Sequence, residues 1–394
     1  MTSTRHVAVV TGARADYGLL RPVMDAVRAH PGLDLSVIAT GAHLDHRFGR
    51  TVDQIKADGF SVTSVPTLEP DDSLLAMARA VGRGTIGMAE ALAALRPDLV
   101  VVLGDRFEIL AAAQAALLLA IPLAHLHGGE VTEGAVDESI RHAITKMASL
   151  HFAAAPPYAR RIRQMGENPA FIFTVGAPGV DSALALDPLP DPVLDQDLGL
   201  PLRSPTFLVT YHPVTRRDGD EGAAIDHLLA ALDGFPQARI VITGVNADAG
   251  HQVVSRRLAA FAAARPERVS LHDTLGQRRY LSVMRRASLV IGNSSSGLIE
   301  APALKVPTID IGDRQAGRLR AQSVIHCGDL DAAAIAAAIE QGLDPAFRAT
   351  LDATQPPYGG GNVGPTVADI LAGIDIAQLR RKPFFDLPET SSWP

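Results

Sequence analysis

Short apolar runs alternate with longer stretches of helical periodicity through the first half of the chain. The apolar runs are continuously hydrophobic, as in parallel strands that are covered on both faces. They predict strands at residues 6–10, 35–40, 99–103, 123–127, 150–154 and 171–175, with helices at 17–29, 74–95, 109–120 and 140–149. Strands alternating with helices in this way predict a doubly wound α/β domain with a mostly parallel sheet.

The pattern changes at residues 181–205, which are rich in Asp and Pro and show no sustained periodicity. We interpret this segment as a linker. The alternation then resumes, with strands predicted at 206–211, 240–243, 269–272, 289–292 and 308–311. We therefore expect two Rossmann-like domains with a central cleft, at residues 1–185 and 200–365. A C-terminal helical segment, residues 366–394, is expected to pack back on the first domain.

Composition and charge narrow the class of protein. The 394 residues are 47% hydrophobic and 20% charged, with a net charge of −7, so a nucleic-acid-binding face is not expected. The apolar stretch 109–126 is interrupted by Gln114, Pro122 and His125, which favours a buried helix and strand over a membrane span. No secretory signal is evident, and the single cysteine, Cys327, excludes an internal disulfide, so we expect a cytoplasmic location.

Ligands of doubly wound sheets bind at the carboxyl ends of the strands, so polar residues that follow strands are the first candidates. The first predicted strand runs into T-G-A-R-A-D-Y-G, where Gly12 permits a tight turn and Arg14 lies at a helix N-terminus. This arrangement predicts a phosphate contact. An ordinary turn with a surface arginine would give the same pattern.

Two further strand ends carry candidate acid–base groups. Asp105 follows the strand at 99–103 in G-D-R-F-E, although it would also serve as a helix cap there. The next strand ends in H-L-H-G-G-E, in which His125 and His127 share one face and Glu130 follows. No third residue completes a metal site. A buried Glu130 would suit acid–base chemistry, whereas a solvated one would be a simple loop carboxylate.

The segment D-E-S-I-R-H-A-I-T-K opens a helix and places Asp137 and Arg141 four residues apart on one face. A surface salt bridge explains that pair in isolation. Three acidic positions after consecutive strands, however, can converge on one crevice in this topology. We therefore interpret Asp105, Glu130 and Asp137 as catalytic.

The second half supplies a candidate nucleotide site. His212 stands at the tip of a strand that Pro213 ends, as an acid–base group, a phosphate ligand or a structural histidine. The segment G-N-S-S-S-G-L-I-E then puts hydroxyls at a helix N-terminus, which suits a pyrophosphate. The residues predicted to bind the nucleotide here are Ser294, Ser295, Ser296, Gly297, Glu300, which is placed to accept ribose hydroxyls, and the later Arg318, with Arg314 beside it.

Taken in order, these motifs resemble the hydrolysing UDP-N-acetylglucosamine 2-epimerases over nearly the whole chain. The matching segments are G-A-R-A-D-Y at 12–17, G-D-R-F-E at 104–108, H-G-G-E-V at 127–131, D-E-S-I-R-H-A-I-T-K at 137–146, H-P-V-T at 212–215, G-N-S-S-S-G at 292–297 and Y-G-G-G-N-V-G at 358–364. The resemblance implies a glycosyltransferase-B-type fold, with UDP mainly on the second domain and the sugar in the cleft.

The resemblance also implies roles for particular residues. It gives catalysis to Asp105 and Asp137, with His212 assisting. It adds His43 as a cleft residue and Arg14, Ser294, Ser295 and Glu300 as nucleotide contacts. Some relatives read H-x-E-G-G-E, with a catalytic glutamate where this chain has His127. Either His127 takes that role or Glu130 supplies the carboxylate, and we expect Glu130 to do so.

The implied reaction releases UDP and inverts carbon 2 of an amino sugar by elimination and hydration, without a cofactor or metal. The sugar is N-acetylglucosamine or a 4-amino-6-deoxy relative such as diacetylated bacillosamine, on a UDP or GDP carrier. A homodimer or homotetramer is expected from the resemblance. The alternatives are a non-hydrolysing 2-epimerase, a glycosyltransferase of the same fold, and a non-catalytic nucleotide-sugar sensor.

Overall fold

The chain forms two compact units in the computed structural model, which describes residues 4–70, 73–132, 136–213, 221–245, 251–328 and 331–387. The first unit comprises the described residues within Met1–Glu130, Val136–Asp181 and Gly361–Pro394. The second comprises those within Ser182–Gly360, together with Val131 and Thr132. The first unit is therefore assembled from segments that are far apart in the sequence.

Seven parallel strands form the sheet of the first unit, in the order β3-β2-β1-β4-β5-β6-β7. They are β1 Arg5–Thr11, β2 Leu33–Thr40, β3 Val62–Val65, β4 Leu99–Leu103, β5 Leu123–Leu126, β6 Leu150–Ala153 and β7 Ile172–Thr174. The central strands β4, β5 and β6 are buried along their whole length, as continuously apolar runs require.

Six parallel strands form the sheet of the second unit, in the order β10-β9-β8-β11-β12-β13. They are β8 Thr206–Thr210, β9 Arg239–Thr243, β10 Val269–His272, β11 Leu289–Gly292, β12 Thr308–Ile311 and β13 Val324–Cys327. Each unit is thus an α/β doubly wound domain, as the alternating pattern predicted.

Helices separate the strands in both units. They are α1 Arg14–Ala29, α2 Val52–Ala57, α3 Leu74–Leu95, α4 Phe107–Leu118, α5 Val136–Met147, α6 Pro156–Gln164, α7 Pro178–Leu184, α8 Asp191–Leu198, α9 Glu221–Asp233, α10 His251–Ala263, α11 Gly276–Arg286, α12 Ser296–Ala303, α13 Ala332–Leu343, α14 Pro345–Arg348, α15 Val363–Gly373 and α16 Ile376–Leu379. Within the described ranges, none of these helices has the length and apolarity required to cross a bilayer.

The helix α15 completes the core of the first unit. It packs against α1 so closely that a Cβ on Gly364 would lie 2.5 Å from the carbonyl oxygen of Pro22. The carboxylate of Asp181 accepts hydrogen bonds from the backbone N–H groups of Val363, at 3.0 Å, and Gly364, at 2.8 Å. A side chain from the middle of the sequence therefore caps this late helix.

The segment after α16 contacts the carboxyl end of α5. Lys382 Nζ donates to the backbone carbonyls of Lys146, at 2.5 Å, and Ala148. The same ammonium lies 2.8 Å from Glu167, which also pairs with Lys146 at 2.6 Å. A cation at the negative end of α5 is electrostatically favourable. The C-terminal segment thus supports the helix whose first turn contains Asp137.

The linker prediction for residues 181–205 was wrong in part, because α8 lies within it. Pro192 stands in the first turn of α8 and Gly199 directly follows its last residue, which is the usual punctuation of a helix. Leu194 and Leu198 bury one face of it. The edge strands β3 and β13 were not predicted. The chain passes between the units after residues 181 and 360, and Val131 and Thr132 are also grouped with the second unit.

Candidate active site

The loops after β1, β4 and β5 leave the same edge of the first sheet. These strands are neighbours, and the pairing of β4 with β5 sets Leu103 opposite Leu126. Because β1 pairs with β4 in parallel, Arg14, Asp105 and His127 follow adjacent strand ends. The structure therefore brings the loops of the predicted catalytic and phosphate-binding residues of this unit together at the edge where such sheets bind ligands.

Asp105 is held by a buried arginine. The guanidinium of Arg141 donates to the Asp105 carboxylate and also lies 3.3 Å from Glu138 Oε2. The side chain of Arg141 is 1% exposed, whereas that of Asp105 is 22% exposed. A charge-assisted hydrogen bond of this kind orients a carboxylate and favours its ionised form. Asp105 is consequently an oriented carboxylate that remains partly exposed.

The helix α5 brings Asp137 to the same part of the unit. Asp137 lies partly buried in its first turn, one turn before Arg141. Two turns further on, Thr145 Oγ1 lies 3.1 Å from His125 Nδ1 on β5. The contacts of Arg141 and Thr145 therefore fix the face of α5 that carries Asp137 against the ends of β4 and β5.

His127 and Glu130 form a buried pair in the turn after β5. His127 Nδ1 lies 2.5 Å from Glu130 Oε1, and the two side chains are 8% and 2% exposed. Glu130 is thus buried, as its predicted acid–base role requires. His125 is also buried and uses both ring nitrogens within the chain, on Thr145 and on the carbonyl of Gly104.

Arg14 is exposed at the first position of α1, beside the turn that follows β1. The buried carboxylate of Asp16 lies against that turn, with Oδ2 3.5 Å from the position that a Cβ on Gly12 would take. Burial raises the pKa of Asp16 to about 6, and the neighbouring Glu108 acts in the same direction. Asp16 was not singled out from the sequence, although an acidic residue in the first turn is a recognised signal for the start of a helix.

His43 lies beneath this turn. It is fully buried, with Nε2 2.9 Å from Thr11 Oγ1 and Nδ1 2.7 Å from Thr51 Oγ1. Burial lowers its pKa to about 4. Because both ring nitrogens already contact threonines, the structure gives His43 a supporting place next to the end of β1.

In the second unit, Asn293 joins the ends of β8 and β11. Its amide accepts from the backbone N–H of His212 and donates to the carbonyl of the same residue, both at 2.7 Å. His212 is 7% exposed, and burial, aided by the charge of Arg314, lowers its pKa to about 3. His212 is therefore neutral near pH 7. Residues 214 and 215 of the H-P-V-T motif lie outside the described residues.

The serine loop follows β11 at the start of α12. Ser294, Ser295 and Ser296 are partly buried. Ser296 Oγ lies 3.1 Å from Ser294 Oγ and 2.6 Å from the hydroxyl of Tyr280. Gly297 and Glu300 lie on α12 and are buried. The hydroxyls therefore collect at the positive end of a helix, as the sequence predicted.

The segment after β12 adds two side chains to the serine loop. Arg314 donates to the carbonyl of Asn293 at 3.1 Å, and Gln315 donates to the same oxygen at 2.8 Å. Arg318 lies partly buried further along the segment. Asn293, Gln315 and Tyr280 were not predicted from the sequence, although Asn293 stands inside the G-N-S-S-S-G segment and Gln315 next to Arg314. In the part of the chain that the structure describes, no group of His, Cys, Asp and Glu is arranged to hold a metal ion.

Two parallel α/β sheets, one carrying acid–base side chains at its carboxyl edge and one carrying a serine loop at a helix start, define a protein of the glycosyltransferase-B type. The sequence model of one family, UDP-N-acetylglucosamine 2-epimerase, matches residues 25–372. The chain belongs to the UDP-N-acetylglucosamine 2-epimerase family.

Curated relatives match over most of their length. The "GDP/UDP-N,N'-diacetylbacillosamine 2-epimerase (hydrolyzing)" of Campylobacter jejuni is 38% identical, over 84% of this chain and 87% of the relative. The "Polysialic acid biosynthesis protein P7" of Escherichia coli is 34% identical, over 98% and 99%. The crystal structure of the Neisseria meningitidis UDP-GlcNAc 2-epimerase bound to UDP-GlcNAc covers 93% of this chain and 99% of its own, with a TM-score of 0.81 at 19% identity, which shows the fold.

Proposed function

We propose that the protein is a hydrolysing 2-epimerase that converts a UDP-linked 2-acetamido sugar into the free 2-epimer and UDP. The observation that carries the proposal is the fixed Asp105 carboxylate beside the buried His127–Glu130 pair at one sheet edge. The chemistry needs acid and base groups on both faces of a sugar ring, and this edge supplies several. The relative from Campylobacter jejuni, named as a hydrolysing 2-epimerase, supports the same reaction.

The reaction has two stages. A base removes the proton from carbon 2 while the bond from carbon 1 to UDP breaks, which leaves a carbon 1–carbon 2 double bond. Water then adds at carbon 1, and an acid delivers a proton to the opposite face of carbon 2. We assign these proton transfers to Asp105, Asp137 and the His127–Glu130 pair, with His212 assisting as a neutral hydrogen-bonding group.

The second unit and the turn after β1 are proposed to bind the nucleotide. Departing UDP gains negative charge, which backbone N–H groups, hydroxyls and guanidinium groups stabilise. His43 is proposed to support the Arg14 turn through Thr11. The proposed ligands are Arg14, Ser294, Ser295, Ser296, Gly297 and Arg318 for the diphosphate, Arg141 for the orientation of Asp105, and Glu300 for the ribose.

The proposal also covers the substrate sugar, the cellular location and the oligomeric state. The name of the Campylobacter relative favours diacetylated bacillosamine over N-acetylglucosamine, and that of the Escherichia relative favours a sialic-acid-type route. Cys327 is a free, buried cysteine, in keeping with a cytoplasmic enzyme. A homodimer or homotetramer is proposed from the resemblance of the motifs.

Product analysis in deuterated water tests the function. Separate incubations with UDP-N-acetylglucosamine and UDP-diacetylbacillosamine are followed by NMR, with no acceptor added. We expect free sugar of inverted configuration, deuterium at carbon 2, and one UDP for each sugar released. A UDP-linked epimer as the product would identify a non-hydrolysing enzyme. Consumption only after addition of an acceptor would identify a glycosyltransferase, and binding without turnover of any donor would identify a sensor.

A further inference from the structure

In the His127–Glu130 hydrogen bond, one side chain donates and the other accepts, so the two residues can have different roles. A carboxylate has only acceptor oxygens, so the 2.5 Å contact with Glu130 Oε1 requires the hydrogen on His127 Nδ1. In a neutral imidazole the other nitrogen, Nε2, then carries the lone pair. The ring is therefore held in the tautomer that a base needs.

Nε2 of His127 is buried and has no hydrogen-bond partner among the described residues. A polar atom removed from water without a partner costs free energy, and a catalytic role is one of the reasons for which proteins retain such atoms. The backbone of His127 is also unusual, because φ is +63°, a value that non-glycine residues rarely adopt. His127, in the turn that follows β5, therefore combines a buried nitrogen without a partner and an unfavourable backbone conformation.

The location of His127 relates it to Asp105. Since Leu103 pairs with Leu126, His127 follows β5 at the level where Gly104 follows β4, one residue before Asp105. The backbone N–H of His127 still donates to the carbonyl of Phe152 on β6, at 3.1 Å, so the residue is fixed between two strands. The turn that carries His127 and the loop that carries Asp105 therefore lie at the same edge of the sheet.

The neighbouring histidine does not share these properties. Both nitrogens of His125 are hydrogen-bonded within the chain, and burial lowers its pKa to about 3. Glu130 also differs from a free base, because its Oε1 is engaged by the imidazole and its side chain is 2% exposed. His127 thus differs from His125 in having a buried ring nitrogen, Nε2, without a hydrogen-bond partner among the described residues.

We propose that His127 Nε2 is the base that removes the proton from carbon 2, and that Glu130 is a positioning residue. This inference rests on the proposed function and deepens it. The electron pair of the carbon 2–hydrogen bond forms the carbon 1–carbon 2 double bond, and the electron pair of the carbon 1–oxygen bond leaves with UDP. The proton stays on His127 as an imidazolium that Glu130 stabilises, and passes to water after the sugar is released.

Variants separate the two members of the pair. His127→Gln is expected to lower kcat by about 10²- to 10⁴-fold, the usual loss of a general base, while the Kd for UDP changes less than about threefold. Glu130→Gln is expected to lower kcat by about 10- to 100-fold and to shift the pH profile, with partial recovery in Glu130→Asp. In the double variant His127→Gln/Glu130→Gln, activity is expected to match that of His127→Gln alone.

His151 offers a matched control. It is a buried histidine on β6 whose Nε2 lies 3.0 Å from Glu167 and whose Nδ1 has no partner within the described residues. The carboxylate of Glu167 is already paired with Lys146 and Lys382, so this second histidine–glutamate pair is part of a structural cluster. His151→Gln is expected to keep kcat within about threefold of the wild-type value, in contrast to His127→Gln.

Nitrogen-15 NMR of the ligand-free wild-type protein gives a readout that does not depend on turnover. We expect the His127 ring to carry its hydrogen on Nδ1, and this preference to be lost in Glu130→Leu, because leucine offers no acceptor whereas glutamine would keep one. A hydrogen on Nε2 in the wild type would overturn the inference, as would an inactive Glu130→Gln alongside a nearly normal His127→Gln. A wild-type protein that releases no free epimer from any UDP-amino sugar would instead overturn the proposed function.

Discussion

Asp105 forms an ion pair with the guanidinium of Arg141, whose side chain is 1% exposed. Replacing its carboxylate with an amide removes an acid–base group and leaves Arg141 without that counter-charge. We expect Asp105→Asn to lower kcat by about 10³-fold or more while UDP binding persists. Calorimetric titration with UDP and a steady-state assay measure the two quantities.

A surface pair provides the control for Asp105. Asp25 lies 2.6 Å from Arg28 on α1, and both side chains are exposed. Asp25→Asn should leave kcat within about twofold, since exposed ion pairs contribute little. Near-normal turnover by Asp105→Asn would show that this carboxylate does not take part in the chemistry.

Gly292 cannot be replaced without strain at the start of the serine loop. Its φ is +137°, and a Cβ there would overlap the backbone of Thr210. We expect Gly292→Ala to lower the free energy of unfolding by about 3 kcal/mol and to weaken UDP binding. Gly82, in the middle of α3 with no atom within 4 Å of an added Cβ, is the comparison. Gly82→Ala is expected to stabilise by about 0.5–1 kcal/mol in the same urea titration.

Single residues were predicted best where they directly follow a strand. Asp105, His127 and His212 stand at strand ends, as the chain pattern indicated. Their partners were harder to find. The sequence related Arg141 to Asp137, whereas the structure also brings Arg141 to Asp105, which lies 36 residues away. Such contacts depend on how a helix is rotated against the sheet, which no local spacing fixes.

The helix α15 depends on a cap from a distant part of the chain. Asp181 accepts hydrogen bonds from the N–H groups of Val363 and Gly364. The side chain of the preceding residue, Asn362, makes no capping hydrogen bond. We expect Asp181→Ala to cost about 1 kcal/mol and to raise amide exchange in the first turn of α15.

Asp331 is the matched cap in the second unit, where it binds the N–H groups of Ala333 and Ala334. Asp331→Ala should loosen α13 and leave the exchange of α15 unchanged. If Asp181→Ala leaves the first turn of α15 as protected as before, the cap does not stabilise this helix.

The strands in the middle of each sheet were predicted, and so were the edge strands β7 and β10, whereas the edge strands β3 and β13 were missed. The strands at 99–103, 269–272, 289–292 and 308–311 have the predicted bounds. The edge strands β3 and β13 are only partly buried, so their sequences lack a continuous apolar run. The helix α8 was missed because its segment is rich in Asp and Pro, a composition that indicates a loop. At the start of a helix, however, the same residues are favourable.

The molecule as a whole is expected to lose stability in mild acid. Burial lowers the pKa of His43 to about 4, and those of His125 and His212 to about 3, from an ordinary 6.5. As the pH falls below about 6.5, the unfolded chain takes up protons that the folded chain does not bind. The free energy of unfolding then falls by up to about 1.4 kcal/mol per pH unit for each histidine.

Asp16 acts in the opposite direction between about pH 4 and 6, because its pKa is raised in the folded chain. Urea titrations from pH 7 to pH 4 measure the net slope. His125→Gln is expected to flatten it, whereas His227→Gln, at an exposed position of α9, is not. Stability that stays constant over this range would contradict the three lowered pKa values.

The position of α15 determines the order in which the two units can complete their folding during synthesis. Val363, Val367 and Leu371 belong to the core of the first unit, whereas the second unit lies almost wholly within Ser182–Gly360. On the ribosome, all core strands of the second unit are therefore made before α15, which the first unit needs to complete its core. A nascent chain stalled through a C-terminal linker, so that residue 360 has just left the exit tunnel, should protect the second sheet from protease while the first is still cleaved. Protection of the first sheet should follow once α15 has also left the tunnel.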